Sequence, residues 1–133
     1  MSTPPKIENV EYDESQPVME REQIDMLLMP EEGDESNSLA AELFELYEAE
    51  SSEKLAGLSG VCDARDAAGL RKIVHFVAGS SGNLGLARLS AFLRGVERAI
   101  DDGKLEDFEA CRVVIPQEFE SSCARFREVF GIQ

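Results

Sequence analysis

Leu86-Ala87-Arg88-Leu89-Ser90-Ala91-Phe92-Leu93-Arg94-Gly95-Val96-Glu97-Arg98-Ala99-Ile100-Asp101-Asp102-Gly103 decides the fold. Leu86, Leu89, Leu93, Val96 and Ile100 recur at alternating three- and four-residue steps. That spacing puts them on one stripe of an α-helix and is the seam of a helix bundle. Asp101-Asp102-Gly103 closes the helix, because glycine takes the C-terminal turn without a Cβ penalty.

Working outward, the same periodicity recurs on both sides. Upstream, residues 66–85 read as a helix with Leu70, Ile73, Val77 and Leu84 on its buried stripe and Asp66 as N-cap. Further upstream, residues 36–59 read as one long helix with Leu39, Leu43, Leu46, Tyr47, Leu55 and Leu58 inward. Downstream, residues 105–130 carry Leu105, Phe108, Ile115, Phe119, Phe126 and Phe130 inward, with Pro116 removing one backbone donor. A short helix over residues 19–29, with Ile24, Leu27 and Leu28 on one side, precedes them and is broken by Pro30-Glu31-Glu32-Gly33. No stretch alternates as a strand would. Long amphipathic helices with short connections imply antiparallel neighbours, so the expected fold is all-α. It is an antiparallel up-down four-helix bundle with a short extra N-terminal helix. Residues 19–133 form that domain, and residues 1–18, with Pro4, Pro5, Pro17 and scattered acids, are expected to be largely disordered.

The 133 residues carry a formal net charge of −14. It is uneven: residues 1–62 hold 16 acidic against 3 basic side chains, and residues 63–133 hold 11 against 10. Binding to nucleic acid is disfavoured, because phosphate contacts need a basic footprint. Locally, from 65 to 98, the balance turns positive, with Arg65, Arg71, Lys72, Arg88, Arg94 and Arg98 against Asp66 and Glu97. No apolar run reaches the length of a membrane span, and the first residues lack a signal-peptide layout. A cytoplasmic monomer that does not engage the membrane is expected. Cys62, Cys111 and Cys123 are odd in number and widely spaced, which gives buried free thiols and no zinc site.

The chain's one histidine lies inside this basic zone, in His75-Phe76-Val77-Ala78-Gly79-Ser80-Ser81-Gly82-Asn83-Leu84-Gly85. Residue 75 is two positions from both 73 and 77, about 200° from each around the helix, so it points away from the core. Arg71 and Lys72 lie one turn before it, and Ala78, Gly79 and Gly82 lie after it as a floor poor in side chains. Two glycines inside a helix cost about 0.8–1 kcal/mol each relative to alanine, which a purely structural helix has little reason to carry.

This stretch resembles the histidine-containing phosphotransfer (HPt) domain family, whose pattern reads roughly His-x-x-Lys-Gly-Ser-Ser-x-x-Leu-Gly. The departure is Ala78, where the family often has lysine. The resemblance spans roughly residues 34–130, with the motif itself confined to the surroundings of His75. It implies a phosphorelay intermediate. His75 would accept a phosphoryl group from a receiver-domain aspartate and pass it to another receiver. The partners would be the receiver domains of a hybrid sensor histidine kinase and of a response regulator. Docking, by the same resemblance, would use exposed apolar residues near His75, with Ile24, Leu27 and Leu28 as members. The alternative is an adaptor of the same shape that binds receivers without being phosphorylated, a reading that Ala78 favours.

A phosphoryl acceptor needs a neutral imidazole with one lone pair facing out and the other nitrogen protonated. Glu97 either fixes that tautomer at Nδ1, as a glutamate or glutamine does in several HPt-like domains, or pairs in solvent with Arg94 or Arg98. Arg71, Lys72 and Arg88 are the candidates for stabilising the phosphoryl charge, and Gly79, Gly82 and Ala78 for steric clearance. The chain has no P-loop, no kinase glycine loop and no nucleophile elbow. It is therefore expected to be a phosphocarrier and not an enzyme, with no cofactor or metal of its own and Mg²⁺ supplied by the receiver.

Overall fold

A computed structural model of the protein describes residues 3–28 and 34–132. Six helices follow one another: α1 (Arg21–Leu28), α2 (Asp34–Leu55), α3 (Leu58–Asp63), α4 (Ala67–Asn83), α5 (Ala87–Asp101) and α6 (Phe108–Phe130). The long helices α2, α4, α5 and α6 make the bundle, with α4 packed against both α2 and α5. Among the described residues there is no strand.

The helix ends follow from local chemistry. The Asp66 carboxylate caps α4 by accepting the Gly69 N–H at 3.0 Å, and Asp107 caps α6 through the Ala110 N–H at 2.9 Å. Each satisfies one of the amide donors that a helix start leaves without a partner. Gly131 ends α6 in the left-handed conformation, φ 65°. Between α4 and α5 the turn is tight: the Leu84 and Leu86 amides both donate to the Ser81 carbonyl, at 3.2 and 3.0 Å. Gly85 supplies its φ of +80°.

The seam of α5 is buried as its spacing implies. Leu86, Leu89, Leu93 and Val96 are inaccessible to solvent, and Ile100 is partly covered. On the far side of the core Phe44 of α2 stacks on Phe126 of α6, ring centroids 4.8 Å apart. Cys62, Cys111 and Cys123 are free and buried. Burial pushes the Cys111 and Cys123 thiols up to about 12, so they stay protonated.

Three expectations need correction. The helix expected over 36–59 is two: α2 ends at Leu55, and α3 restarts at Leu58 after Ala56-Gly57. Two low-propensity glycines, Gly57 and Gly60, make the break cheap, and the offset lets Leu58 and Cys62 enter the core. Leu46, assigned to the buried stripe, is 60% exposed, whereas Phe44 takes the inward position. The Pro30-Glu31-Glu32-Gly33 break lies outside the described residues.

The third concerns the N-terminal segment expected to be loose. It runs antiparallel along α5 as a strap. Asn9 Nδ2 donates to the Lys104 carbonyl at 3.0 Å and Arg98 Nη2 to that of Glu11 at 3.0 Å. Tyr12 meets Phe92 edge to face at 5.4 Å. The Arg88 amide donates to the Pro17 carbonyl at 3.0 Å and the Glu20 amide to that of Gly85 at 2.7 Å. Within the strap Pro5 and Ile7 are themselves buried. Prolines preset the extended backbone, and the strap brings the Tyr12 ring against Phe92 of α5.

The close approach depends on a missing side chain. A Cβ at Gly95 would sit 2.6 Å from the Glu11 carbonyl oxygen and 3.2 Å from Tyr12 Cβ. Gly95→Ala is therefore expected to lift the strap and destabilise the protein by about 1–3 kcal/mol, despite alanine's better helix propensity. Thermal unfolding of the variant checks this; a rise in melting temperature would show that the strap contributes nothing.

Candidate functional site

The buried face of α4 comprises Leu70, Ile73, Val74, Val77, Ala78 and Ser81. It is wider than a single stripe because α4 packs against helices on several sides. His75 falls in the gap that remains, and its side chain is 62% exposed.

From α5, Glu97 reaches across to it. Glu97 Oε2 lies 2.8 Å from His75 Nδ1, and the glutamate side chain is only 11% exposed. A carboxylate is an acceptor only, so in the neutral ring Nδ1 carries the hydrogen and donates it. The Nε2 lone pair is then left for solvent or a partner. The same Oε2 is ion-paired with Arg71 Nη2 at 3.0 Å, and Arg94 Nη1 stands 4.0 Å from Oε1. Arg71 is tied further to Asp101: its Nε donates to Oδ1 at 2.6 Å and its Nη2 to Oδ2 at 3.3 Å. This pairing holds the Asp101 carboxyl below its usual range and raises Arg71.

The structure thus brings together three of the residues singled out in the sequence: His75, Glu97 and Arg71. Lys72 is exposed and forms no ion pair among the described residues. Arg88 is not at the site. It is buried and faces α6, where its Nε and Nη2 donate to both oxygens of Glu118 at 2.9 and 3.0 Å. Ala78 is not part of the open floor either. It has no exposed surface, and its carbonyl accepts from Ser90 Oγ at 2.9 Å.

The two glycines differ in the room around them. A Cβ at Gly79 would meet nothing within 4 Å, and at Gly82 it would approach Ser90 Oγ at 3.2 Å. Ile24 is fully buried and offers no docking surface, and the side chains of Leu27 and Leu28 lie outside the described residues. A groove beside this floor is one the sequence reading missed: Leu43, Leu46 and Leu84 line it together with the polar Glu50, Ser80 and Asn83. Asp101 was also missed. It reads as part of a helix-closing Asp-Asp-Gly, and nothing local marks it as the partner of a residue 30 positions earlier.

A family model for the Hpt domain matches residues 42–127. The chain belongs to the Hpt domain family, whose members are phosphocarriers that work with receiver domains. Its role is histidine phosphotransfer in a phosphorelay. The fold is similar to the crystal structure of histidine-containing phosphotransfer protein B (HptB) from Pseudomonas aeruginosa PAO1, with a TM-score of 0.71 and 24% identity over 90% of this chain and 99% of that one. No curated protein matches the chain. Among the described residues no helix is long and apolar enough to cross a membrane.

Proposed function

We propose that His75 Nε2 is the phosphoryl acceptor, taking the group from a receiver-domain aspartyl phosphate and passing it to a second receiver. The Nε2 lone pair attacks phosphorus, the N–P bond forms, and the P–O bond to the aspartate breaks with its electron pair leaving on the carboxylate. Nδ1 keeps its hydrogen, and the positive charge the ring gains lies against Glu97. The return step reverses these bonds on the next aspartate. The receiver supplies Mg²⁺ and most of the compensation for charge developing on the phosphoryl oxygens. The observation that carries this reading is an exposed ring whose Nδ1 is engaged at 2.8 Å by a nearly buried carboxylate.

Access is the second requirement. A receiver must bring its aspartate over the ring, and the open position at Gly79 with the Leu43–Leu46–Leu84 groove beside it suits such a surface. Gly79→Ala is expected to stabilise the fold by about 0.5–1 kcal/mol. Gly79→Leu is expected to keep the fold but slow phosphoryl uptake by about tenfold or more, since small misplacements of reacting atoms are costly. Stability and uptake moving in opposite directions would separate clearance from structure.

Incubation with a phosphorylated receiver domain tests the proposal. Transfer of label to give an acid-labile, base-stable phosphoprotein supports the carrier. Stable receiver binding with no label transferred would make the protein an adaptor and overturn it.

A further inference from the structure

Using a glutamate to fix the tautomer carries a chemical liability. An anionic acceptor near an imidazole favours the doubly protonated ring, and that form has no lone pair with which to attack. Glu97 is nearly buried, where charges are screened less than in water.

We propose that Arg71, held in place by Asp101, neutralises Glu97 so that the carboxylate takes the Nδ1 hydrogen of His75 without drawing a second proton onto the ring. This rests on His75 being the phosphoryl acceptor. Arg71 is then a positioning residue acting through Glu97, and it is not a phosphate ligand.

The geometry supports this in two ways. First, Arg71 Nη2 and His75 Nδ1 converge on the same oxygen, Glu97 Oε2, at 3.0 and 2.8 Å. Second, the guanidinium is committed: Asp101 takes its Nε at 2.6 Å and shares its Nη2 at 3.3 Å. Glu97 addresses the Nδ1 edge of the ring, whereas a phosphoryl group would arrive at Nε2.

The other charged groups around the ring do not substitute for Arg71. On α4 itself Lys72 is exposed and outside the network. From α5, Arg94 reaches only the other carboxylate oxygen, at 4.0 Å. From α2, the Lys54 ammonium lies over the Phe76 ring, 5.1 Å from its centroid.

The test compares pH profiles of label uptake from one phosphorylated receiver. Without Arg71 the full charge of Glu97 faces the ring, so uptake is expected to fall on the acid side. In Arg71→Gln the ratio of initial rates at pH 8 to pH 6 is expected to exceed that of the wild type by about threefold to tenfold, with little change at pH 8. Arg71→Lys restores most of the wild-type profile. In a Glu97→Gln background, adding Arg71→Gln leaves the profile unmoved, because the acceptor no longer carries a charge to offset. A uniform fall at every pH would make Arg71 a phosphate ligand and overturn the proposal, as would an unchanged profile. His75 is the chain's one histidine, so its Cε1–H resonance reports ring charge directly in unphosphorylated protein. A titration displaced in Arg71→Gln without any label uptake would refute the carrier reading and leave the clamp standing. An undisplaced one would refute the clamp.

Discussion

His75→Gln is expected to abolish phosphoryl uptake while leaving the fold untouched. The chain has one histidine, so no second imidazole can take over. Glutamine offers an amide nitrogen whose lone pair is delocalised into the carbonyl and does not attack phosphorus. Loss is therefore expected to reach the detection limit, not a partial reduction. The structural cost is small because the ring is 62% exposed and contributes no core packing. Glutamine can still donate an amide hydrogen to Glu97, which keeps that nearly buried carboxylate from losing a donor. Substitutions at such surface positions change stability by about 0.5 kcal/mol or less. Label transfer from a phosphorylated receiver, measured beside a melting curve, reads both quantities. Residual acid-labile label in His75→Gln at wild-type level would place the acceptor elsewhere and refute the assignment.

What made His75 legible in the sequence was local periodicity. Leu70, Ile73 and Val77 set a phase within one helix, and the ring's direction follows from arithmetic on that phase. The α5 seam and the Asp66 cap were legible for the same reason: each is settled within a few residues. What could not be read depends on distance. A single buried stripe for α4 puts Ala78 on the open floor. Its burial follows from the helices packed around α4, which no residue of α4 announces. The Asp101–Arg71 and Arg88–Glu118 pairs each join side chains 30 positions apart, so their spacing has no helical meaning. The strap was misread because extended, proline-bearing acidic segments usually stay solvated. Phe92, at the edge of the α5 seam, is where the Tyr12 ring of the strap packs, a contact between residues 80 positions apart that no local pattern announces.

Arg88 carries the other large expected effect, on stability and not on chemistry. Its side chain and that of Glu118 are 5% and 4% exposed. The guanidinium grips both carboxylate oxygens in parallel, at 2.9 and 3.0 Å, the arrangement in which charge-assisted hydrogen bonds are strongest. Attraction inside such a pair roughly offsets the loss of hydration, whereas removing one partner leaves the other charge buried with its desolvation uncompensated. Arg88→Met keeps most of the side-chain volume but strands the Glu118 carboxylate. The expected loss is about 3–5 kcal/mol, a large share of the 5–15 kcal/mol typical of a domain. The double variant Arg88→Met/Glu118→Leu removes both charges and is expected to recover most of that loss or exceed the wild type. Denaturant unfolding of the single and double variants measures this coupling. Phosphoryl uptake by the folded double variant should stay within about twofold of wild type, because Arg88 points toward α6 and away from His75. A stable single variant with collapsed uptake would instead return Arg88 to the phosphoryl site. A double variant as unstable as the single one would show that the guanidinium's other contacts, and not its pairing with Glu118, are what this position requires.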